Sequence, residues 1–313
     1  MASLKDIRRR ISSVKNTQQI TKAMKMVAAA KLRRAQQAIA GARPFSEKLE
    51  AMTKRIVTEI LASQGKKADP SKIHPLLKNP VLAEGEAPRI ALVVVSSDRG
   101  LCGAYNTTIS RFAWAQYKEL MESGAQVDLI FVGKKAMEYF RRRGGKGEHL
   151  VDFWTGKFSA KKTDAIATEL TQKFLEGKYT RIDFAFMQFR SALTQTATLK
   201  TMLPLSVEVP AAEIASAKSM AEANGQPAKF IYEPNREDIL AEVLPMQIRT
   251  LVYRCFADAY ASEFGAKMTA MDSATRNANQ MISRLTLEAN RVRQASITKE
   301  LMEIIGGAEA LNG

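Results

Sequence analysis

The chain has few of the residues that usually carry catalysis or cross-links. Its 313 residues include two histidines, His74 and His149, and two cysteines, Cys102 and Cys255. The cysteines lie far apart and match no metal-binding or redox spacing, so we expect a reducing, cytoplasmic compartment. The sequence also lacks HExxH, CxxC and paired acidic motifs. These absences argue against a metal centre, a disulfide scaffold and catalysis by this chain on its own.

Long apolar runs are missing as well. No stretch approaches the roughly 18 uninterrupted apolar residues that a membrane span needs. The first residues, MASLKDIRRRISS, lack the apolar core of a secretion signal. Any association with a membrane is therefore predicted to be indirect.

Positive charge is abundant instead. The formal net charge is +15, and the first 61 residues contain fourteen Lys and Arg against four Asp and Glu. Such an excess predicts an acidic partner. Nucleic acid, a phospholipid surface and an acidic protein all fit this charge.

Glycine and proline are scarce at both ends of the chain. Residues 246–305 contain one glycine, Gly265, and no proline, and residues 2–40 contain neither. A helix of about 60 residues would span roughly 90 Å, so each end is predicted to form a long helix that packs against the other. Gly41 and Pro44 are predicted to bend the first helix, with a second helical stretch from Ser46.

Both predicted helices carry apolar residues at the spacing of a coiled-coil seam. In the N-terminal helix the seam weakens at Gln18 and Thr21. Its apolar positions are Leu4, Ile7, Ile11, Val14, Met24, Val27, Ala28 and Leu32. Those of the C-terminal helix are Leu251, Phe256, Tyr260, Phe264, Met268, Met271, Ala274, Ala278, Ile282, Leu285, Ala289 and Val292.

The middle of the chain is predicted to be an α/β domain. An apolar, β-branched run at 90–95 and further predicted strands at 127–132 and 181–189 alternate with helical patterns at 107–122, 136–143 and 163–175. This alternation indicates a mostly parallel sheet. Residues 196–209 are predicted to be an edge strand or hairpin, 211–228 a loop and 230–233 a short strand. The predicted boundaries are 1–61 for the first helix, 62–88 for a linker, 89–233 for the α/β domain and 234–313 for the last helix.

The segment Ser96–Asn106 follows the first predicted strand, where α/β proteins often bind phosphate. Its two glycines, Gly100 and Gly103, give GxxG without a following GK[ST], so we interpret the segment as a tight turn. Two alternatives stay open. One is a nucleotide-dependent α/β enzyme that uses this loop, and the other is a basic coiled-coil protein that binds nucleic acid.

Three segments of the chain resemble the signature regions of the gamma subunit of F-type ATP synthases. They are Ile20–Lys31 (ITKAMKMVAAAK), Ser97–Gly103 (SDRGLCG) and Arg293–Leu301 (RQASITKEL). They lie near the start, middle and end, so the resemblance covers essentially the whole chain. It implies an antiparallel coiled coil of the two terminal helices, with a Rossmann-like α/β domain as its foot.

The resemblance also implies a function. The coil would be the rotating shaft inside a hexamer of three alpha and three beta subunits, and the foot would contact the epsilon subunit and the c-ring. Proton flow would turn ring and shaft and drive the catalytic beta sites. The chain itself would be non-catalytic and hold no cofactor. It would be bound peripherally at the cytoplasmic face of the bacterial inner membrane.

The resemblance assigns contacts residue by residue. Met24 and Lys25 match the position where the shaft meets an acidic loop of beta, although the family often has an acidic or polar residue where Lys25 stands. Further contacts with the hexamer are assigned to Arg293, Gln294, Thr298 and Glu300. An apolar collar would surround Ile304, Ile305 and Leu311. The foot contacts with epsilon and the c-ring are Asp98, Arg99, Gly100, Leu101, Cys102, Gly103, Leu203 and Leu205.

Overall fold

The structure, a computed structural model, describes residues 3–64, 73–78, 86–150, 153–154, 158–207, 232–233 and 235–312. The side chains of residue 64 and of residues 308–312 are outside the described set. The chain divides into two compact units, a coil unit of residues 1–30 and 267–313 and a sheet unit of residues 31–266.

The helices and strands follow one another as an α/β domain between two long helices. In chain order they are α1 (Leu4–Gln64), a 3-10 helix (Pro75–Leu77), β1 (Arg89–Val95), α2 (Tyr105–Glu122), β2 (Gln126–Val132), α3 (Lys134–Arg141), β3 (Gly147–Leu150), α4 (Ala160–Leu175), β4 (Arg181–Phe189), β5 (Gln195–Leu203) and α5 (Arg236–Asn312).

The sheet unit contains one five-stranded sheet in the order β3-β2-β1-β4-β5. The first four strands of that order pair in parallel, and β5 pairs antiparallel with β4 at the edge. This confirms the predicted α/β class and the edge strand. The sequence reading missed β3, which is short, begins at Gly147 and is polar. A Cβ at Gly147 would lie 2.4 Å from the carbonyl oxygen of Leu129, so only glycine fits this pairing.

Successive residues of a strand point to opposite faces of the sheet, and each face is covered by helices. Val93 and Phe184 belong to an apolar cluster that includes residues of α1, α4 and α5. Leu92, Val94 and Ala185 belong to a second cluster with residues of α2 and α3. The core therefore lies on both sides of β1, which is buried from its second residue to its last.

Helix α1 continues through Gly41 and Pro44 as one element, which confirms the helical structure predicted on both sides of this point. Proline removes one backbone hydrogen bond from a helix. Ser46 and Leu49, which follow it, are buried in the sheet unit. Tertiary packing of this face outweighs the local penalty.

Short local structures flank the two long helices, one in the predicted linker after α1 and one at the start of α5. Asn235 Oδ1 accepts a hydrogen bond from the Asp238 N–H at 2.8 Å and so caps the start of α5. In the predicted linker, the Leu76 N–H donates to His74 Nδ1 at 3.2 Å and starts the 3-10 helix. The loop predicted at 211–228 lies outside the described residues. Of the strand predicted at 230–233, Tyr232 and Glu233 are described and are not in a strand.

The coil unit buries few side chains. Those of its described residues that are buried are Ile7, Thr21, Ala28, Met271, Ala278 and Ala289. All are positions of the predicted seam or its weak point. Val27, predicted in the seam, is 58% exposed, so that assignment is wrong. Its neighbour Ala28 takes the inner position because the two differ by about 100° around the helix. None of the described helices of the chain combines the length and apolarity that a membrane crossing needs.

Candidate functional site

Polar side chains join the two helices of the coil unit where the seam weakens. The pairs are Gln18 with Asn279, Thr21 with Thr275, and Lys25 with Asp272. The two threonine hydroxyls lie 2.8 Å apart. Rising numbers on α1 meet falling numbers on α5, so the helices are antiparallel, as predicted. The polar residues Gln18 and Thr21 in an otherwise apolar seam indicated this polar region from the sequence. Their partners on α5, Asn279 and Thr275, were not predicted.

Met24 and Lys25, assigned to a partner contact by resemblance, are both half-buried. Lys25 forms an ion pair with Asp272, which also pairs with Arg276 one turn along α5. The hydrogen bond from Lys25, with the charge of Arg276, holds the pKa of the Asp272 carboxyl below its usual value. Asp272 is thus a functional candidate that the sequence reading missed.

The polar cluster assigned to hexamer contacts is exposed at all four positions, Arg293, Gln294, Thr298 and Glu300. Thr298 Oγ1 donates to the Gln294 carbonyl at 3.0 Å, and Ser296 Oγ donates to Glu300 Oε1 at 3.2 Å. These bonds stay within α5, so they leave the charged head groups accessible.

The last described turns of α5 expose apolar side chains. Ile304 is 72% exposed and Ile305 49%, and the side chain of Leu311 lies outside the described set. Ile297, Leu301 and Met302 are also exposed. Exposed apolar side chains grouped at one end of a helix are typical of interaction sites.

The loop after β1 is folded around one side chain. Asn106 Oδ1 accepts hydrogen bonds from the Ser97 N–H at 3.1 Å and the Ser97 hydroxyl at 3.0 Å. Asn106 Nδ2 donates to the Arg99 carbonyl at 3.2 Å and to Cys102 Sγ at 3.1 Å. Asp98 Oδ1 accepts from the Lys134 N–H at 3.0 Å. These bonds within the chain support the interpretation of the segment as a tight turn.

Leu101 is the most accessible apolar group of this loop. It has a positive φ of 65°, which is uncommon for a residue with a side chain, and it is 61% exposed. Arg99, Gly100 and Gly103 are exposed too, whereas Cys102 is buried. The loop therefore exposes the side chains of Arg99 and Leu101 and buries the thiol of Cys102.

Helix α5 occupies the carboxyl edge of the central strands. The Tyr105 hydroxyl donates to the Ala259 carbonyl of α5 at 3.1 Å, and the Ser262 hydroxyl of α5 donates to the Met187 carbonyl of β4 at 3.0 Å. Burial, and then the nearby Glu263 carboxylate, raise the pKa of Tyr105. Open α/β sheets bind nucleotides at this edge. Here the chain's own helix packs there, which disfavours the nucleotide-dependent enzyme.

Leu203 and Leu205, assigned to a ring contact by resemblance, are buried in the sheet unit. They belong to the apolar cluster that also contains Phe184 and Leu240. A partner that touches this stretch would meet its exposed neighbours Thr201 and Ser206. The assigned contact stays a prediction.

One buried carboxyl of the sheet unit has a strongly altered affinity for protons. Burial raises the pKa of Asp258 to about 6, and the cations of Arg254, Arg43, Lys200 and Arg190 oppose that rise. These groups come from α5, α1, β5 and the turn after β4. Among the described residues, no group of three His, Cys, Asp or Glu side chains is placed to hold a metal ion.

Comparisons with known proteins agree along the whole chain. A family model described as ATP synthase matches residues 3–311. The chain is 41% identical to the ATP synthase gamma chain of Sorangium cellulosum, with 99% of each chain covered. It is 40% identical to the ATP synthase gamma chain of Bdellovibrio bacteriovorus over the full length of both.

Solved structures with a similar fold come from the same kind of assembly. A chain in the cryo-EM structure of the Euglena gracilis mitochondrial ATP synthase has a TM-score of 0.59 and 18% identity, with 98% of this chain and 94% of that one covered. A chain from the central stalk and c-ring structure of the Tetrahymena thermophila enzyme has a TM-score of 0.53 and 20% identity, with 82% and 99% covered. These likenesses show the fold.

Proposed function

The chain belongs to the ATP synthase gamma-chain family, and we propose that it is the central rotary shaft of a proton-translocating F-type ATP synthase. It couples rotation of the c-ring to ATP synthesis and hydrolysis at the catalytic beta subunits. The observation that carries the proposal is the antiparallel coil unit, in which one helix extends into an exposed apolar end.

We propose that this end and the polar cluster before it lie inside a hexamer of three alpha and three beta subunits. Ile304 and Ile305 pack in an apolar collar, which removes from water a surface that the chain leaves exposed. Arg293 and Glu300 meet polar loops of the hexamer. Exposed ion pairs contribute only about 0–1 kcal/mol each, so such contacts guide the shaft without holding it at one angle.

The sheet unit is proposed to act as the foot, next to epsilon and the c-ring. The loop at Asp98–Gly103 offers Arg99 and Leu101 for that contact. Attachment to the cytoplasmic face of the bacterial inner membrane is then indirect, through the ring. Catalysis takes place on the beta subunits, and this chain contributes motion rather than catalytic groups.

The nucleic-acid-binding alternative needs aromatic or arginine side chains grouped on one exposed surface. Large aromatic residues of the sheet unit are instead buried, among them Phe131, Phe140, Phe184 and Phe256. The charge alone supports that alternative. Retention on DNA at physiological salt, without co-purifying subunits, would favour it.

Co-purification tests the proposal. A tagged chain should bring down two larger nucleotide-binding subunits, with one copy of the chain for three of each. A matched variant, Ile304→Asp with Ile305→Asp, places charge in the proposed apolar collar and should reduce the recovered hexamer. Recovery of the tagged wild-type chain alone, under conditions that keep the complex of a known relative intact, would contradict the proposal.

A further inference from the structure

We propose that Asp272 limits the attraction between the coil unit and its acidic partner by holding two cations, Lys25 and Arg276, on the coil itself. The inference rests on the proposed function, because the partner is the acidic beta-subunit loop expected beside Lys25.

The geometry places Asp272 between two basic side chains. Asp272 Oδ1 pairs with Lys25 Nζ across the coil, and Oδ2 pairs with Arg276 Nη1 on the same helix. Arg276 also donates to Ser273 Oγ at 3.2 Å, so a second bond fixes its direction. Both oxygens of one carboxylate are therefore used to neutralise cations from two helices.

Both cations remain within reach of a partner. The side chain of Lys25 is 43% exposed and that of Arg276 65%, whereas that of Asp272 is 29% exposed. The carboxylate is thus the most enclosed of the three groups. An acidic loop that approaches this surface meets two cations whose charge Asp272 has already partly offset.

The lowered pKa of the Asp272 carboxyl is consistent with its pairing to Lys25 and Arg276. The hydrogen bond from Lys25 is the largest cause that lowers the pKa of Asp272, followed among the favourable causes by the charge of Arg276. The carboxylate is therefore ionised throughout the neutral range and holds the cations continuously.

Partial neutralisation of Lys25 and Arg276 by Asp272 would help a shaft that has to rotate past its partner. The first 61 residues carry fourteen basic against four acidic side chains, so the shaft attracts acidic loops over a distance set by the Debye length, about 8 Å at physiological salt. A deep local attraction would slow departure from each angular position. Without Asp272, the coil gains one positive charge at the position expected to pass the beta loop.

The test compares variants in the assembled complex. Asp272→Asn removes the charge and keeps the shape. Its ATP hydrolysis should fall about two- to fivefold at low salt, and high salt should remove most of the difference because the added attraction is screened. Combining Asp272→Asn with Lys25→Gln should restore most of the lost rate. Asp272→Ser, which also removes the charge, is a second variant with the same expectation.

The matched control is Glu169→Gln. Glu169 forms an exposed ion pair with Lys173 on α4 at 2.5 Å, so this variant adds the same charge in the sheet unit. It should leave both the rate and its salt dependence as in the wild type.

The outcomes separate the two proposals. If the complexes assemble and Asp272→Asn behaves like the Glu169→Gln control, the inference about Asp272 is wrong and the proposed function stands. A loss of rate that neither salt nor Lys25→Gln restores also overturns it, since the cause is then packing rather than charge. If the wild-type chain does not assemble with the larger subunits, both proposals fail.

Discussion

The sheet unit and the coil unit are stabilised by different interactions. In the sheet unit, large side chains fill the core: Phe256 lies 4.5 Å from Phe153 and 5.9 Å from Phe184 between ring centroids. In the coil unit, buried positions are few, and polar pairs replace apolar contacts at part of the seam. The sheet unit is therefore stabilised mainly by a large apolar core, whereas the coil unit buries few side chains of its own.

Two aspartates on α5 show the same contrast. Asp258 in the sheet unit is buried, and its pKa is raised to about 6. Asp272 in the coil unit has two cationic partners, and its pKa is lowered. Burial is the main cause of the raised pKa of Asp258, whereas pairing with cations is the main cause of the lowered pKa of Asp272. The same residue type on one helix thus opposes folding at neutral pH in one unit and favours it in the other.

The largest effect on stability is expected from Phe256→Ala. Phe256 is fully buried and packs against the rings of Phe153, Trp154 and Phe184. Its removal should lower the free energy of unfolding by about 3–5 kcal/mol. Urea unfolding of the purified chain, followed by tryptophan fluorescence, measures the change. Leu287→Ala, at an exposed position of the coil unit, is the control and should change the value little. Equal losses in the two variants would contradict the contrast between the units.

A smaller, pH-dependent effect is expected from Asp258→Asn. Since the pKa of Asp258 in the folded chain lies above its unfolded value of about 3.9, the folded state binds more protons and stability falls as pH rises from about 4 to about 6. The variant lacks this loss, so its advantage over the wild type should grow by about 1–3 kcal/mol over that range. Unfolding curves at several pH values measure it.

The stability of Asp272→Asn relative to the wild type should change with pH in the opposite direction. Because the folded pKa of Asp272 is lowered, its contribution to stability is present above the unfolded pKa and is lost as pH falls through the folded pKa. The variant should therefore lose stability at neutral pH and converge with the wild type in acid. The same direction of change in both aspartate variants would refute the assigned causes.

A still smaller effect is expected in the polar seam. Replacing both members of a pair, Thr21→Val with Thr275→Val, removes the hydroxyls without leaving one of them unpaired. The free energy of unfolding should change by no more than about 0.5 kcal/mol, or rise slightly. Thr21→Val alone leaves the Thr275 hydroxyl within 2.8 Å of the Met271 carbonyl, so its stability should be close to that of the double variant. Thermal unfolding of the three chains tests both expectations, and a large loss in the double variant would mean that the pair supports the fold itself.

The smallest effect on stability is expected from removing residues 300–313. Within this segment the described side chains, up to residue 307, are exposed. The isolated chain should unfold within about 0.5 kcal/mol of the full chain. In the assembled enzyme, however, proton pumping per ATP hydrolysed should fall more than assembly does. A truncated chain that fails to assemble would show that the end of α5 is needed to build the complex.

Much of the fold followed from sequence patterns that are local. The strands β1, β2 and β4 contain buried apolar runs, and the cap at Asn235 is a short-range motif. The strand β3 was missed because it is short and polar and depends on its partner β2 for its conformation. The helix on both sides of Pro44 was predicted, but the burial of Ser46 and Leu49 was not, because it depends on contacts with segments distant in the sequence.

The candidate site was only partly predictable for a related reason. The exposed apolar end of α5 could be read from its sequence. The pairing of Lys25 with Asp272 could not, because it depends on the register between segments 247 positions apart. The burial of Leu203 and Leu205 likewise depends on how β5 packs against α5 and the 3-10 helix.

Rotation of the sheet unit against immobilised alpha and beta subunits is the most direct test of the proposed function. A bead attached to a cysteine introduced at exposed Glu122 of α2 would report the motion while ATP is hydrolysed. The proposed rotary function predicts continuous rotation in one direction, with three pauses per turn because three beta sites act in sequence. ATP hydrolysis at a normal rate with a stationary bead would contradict it.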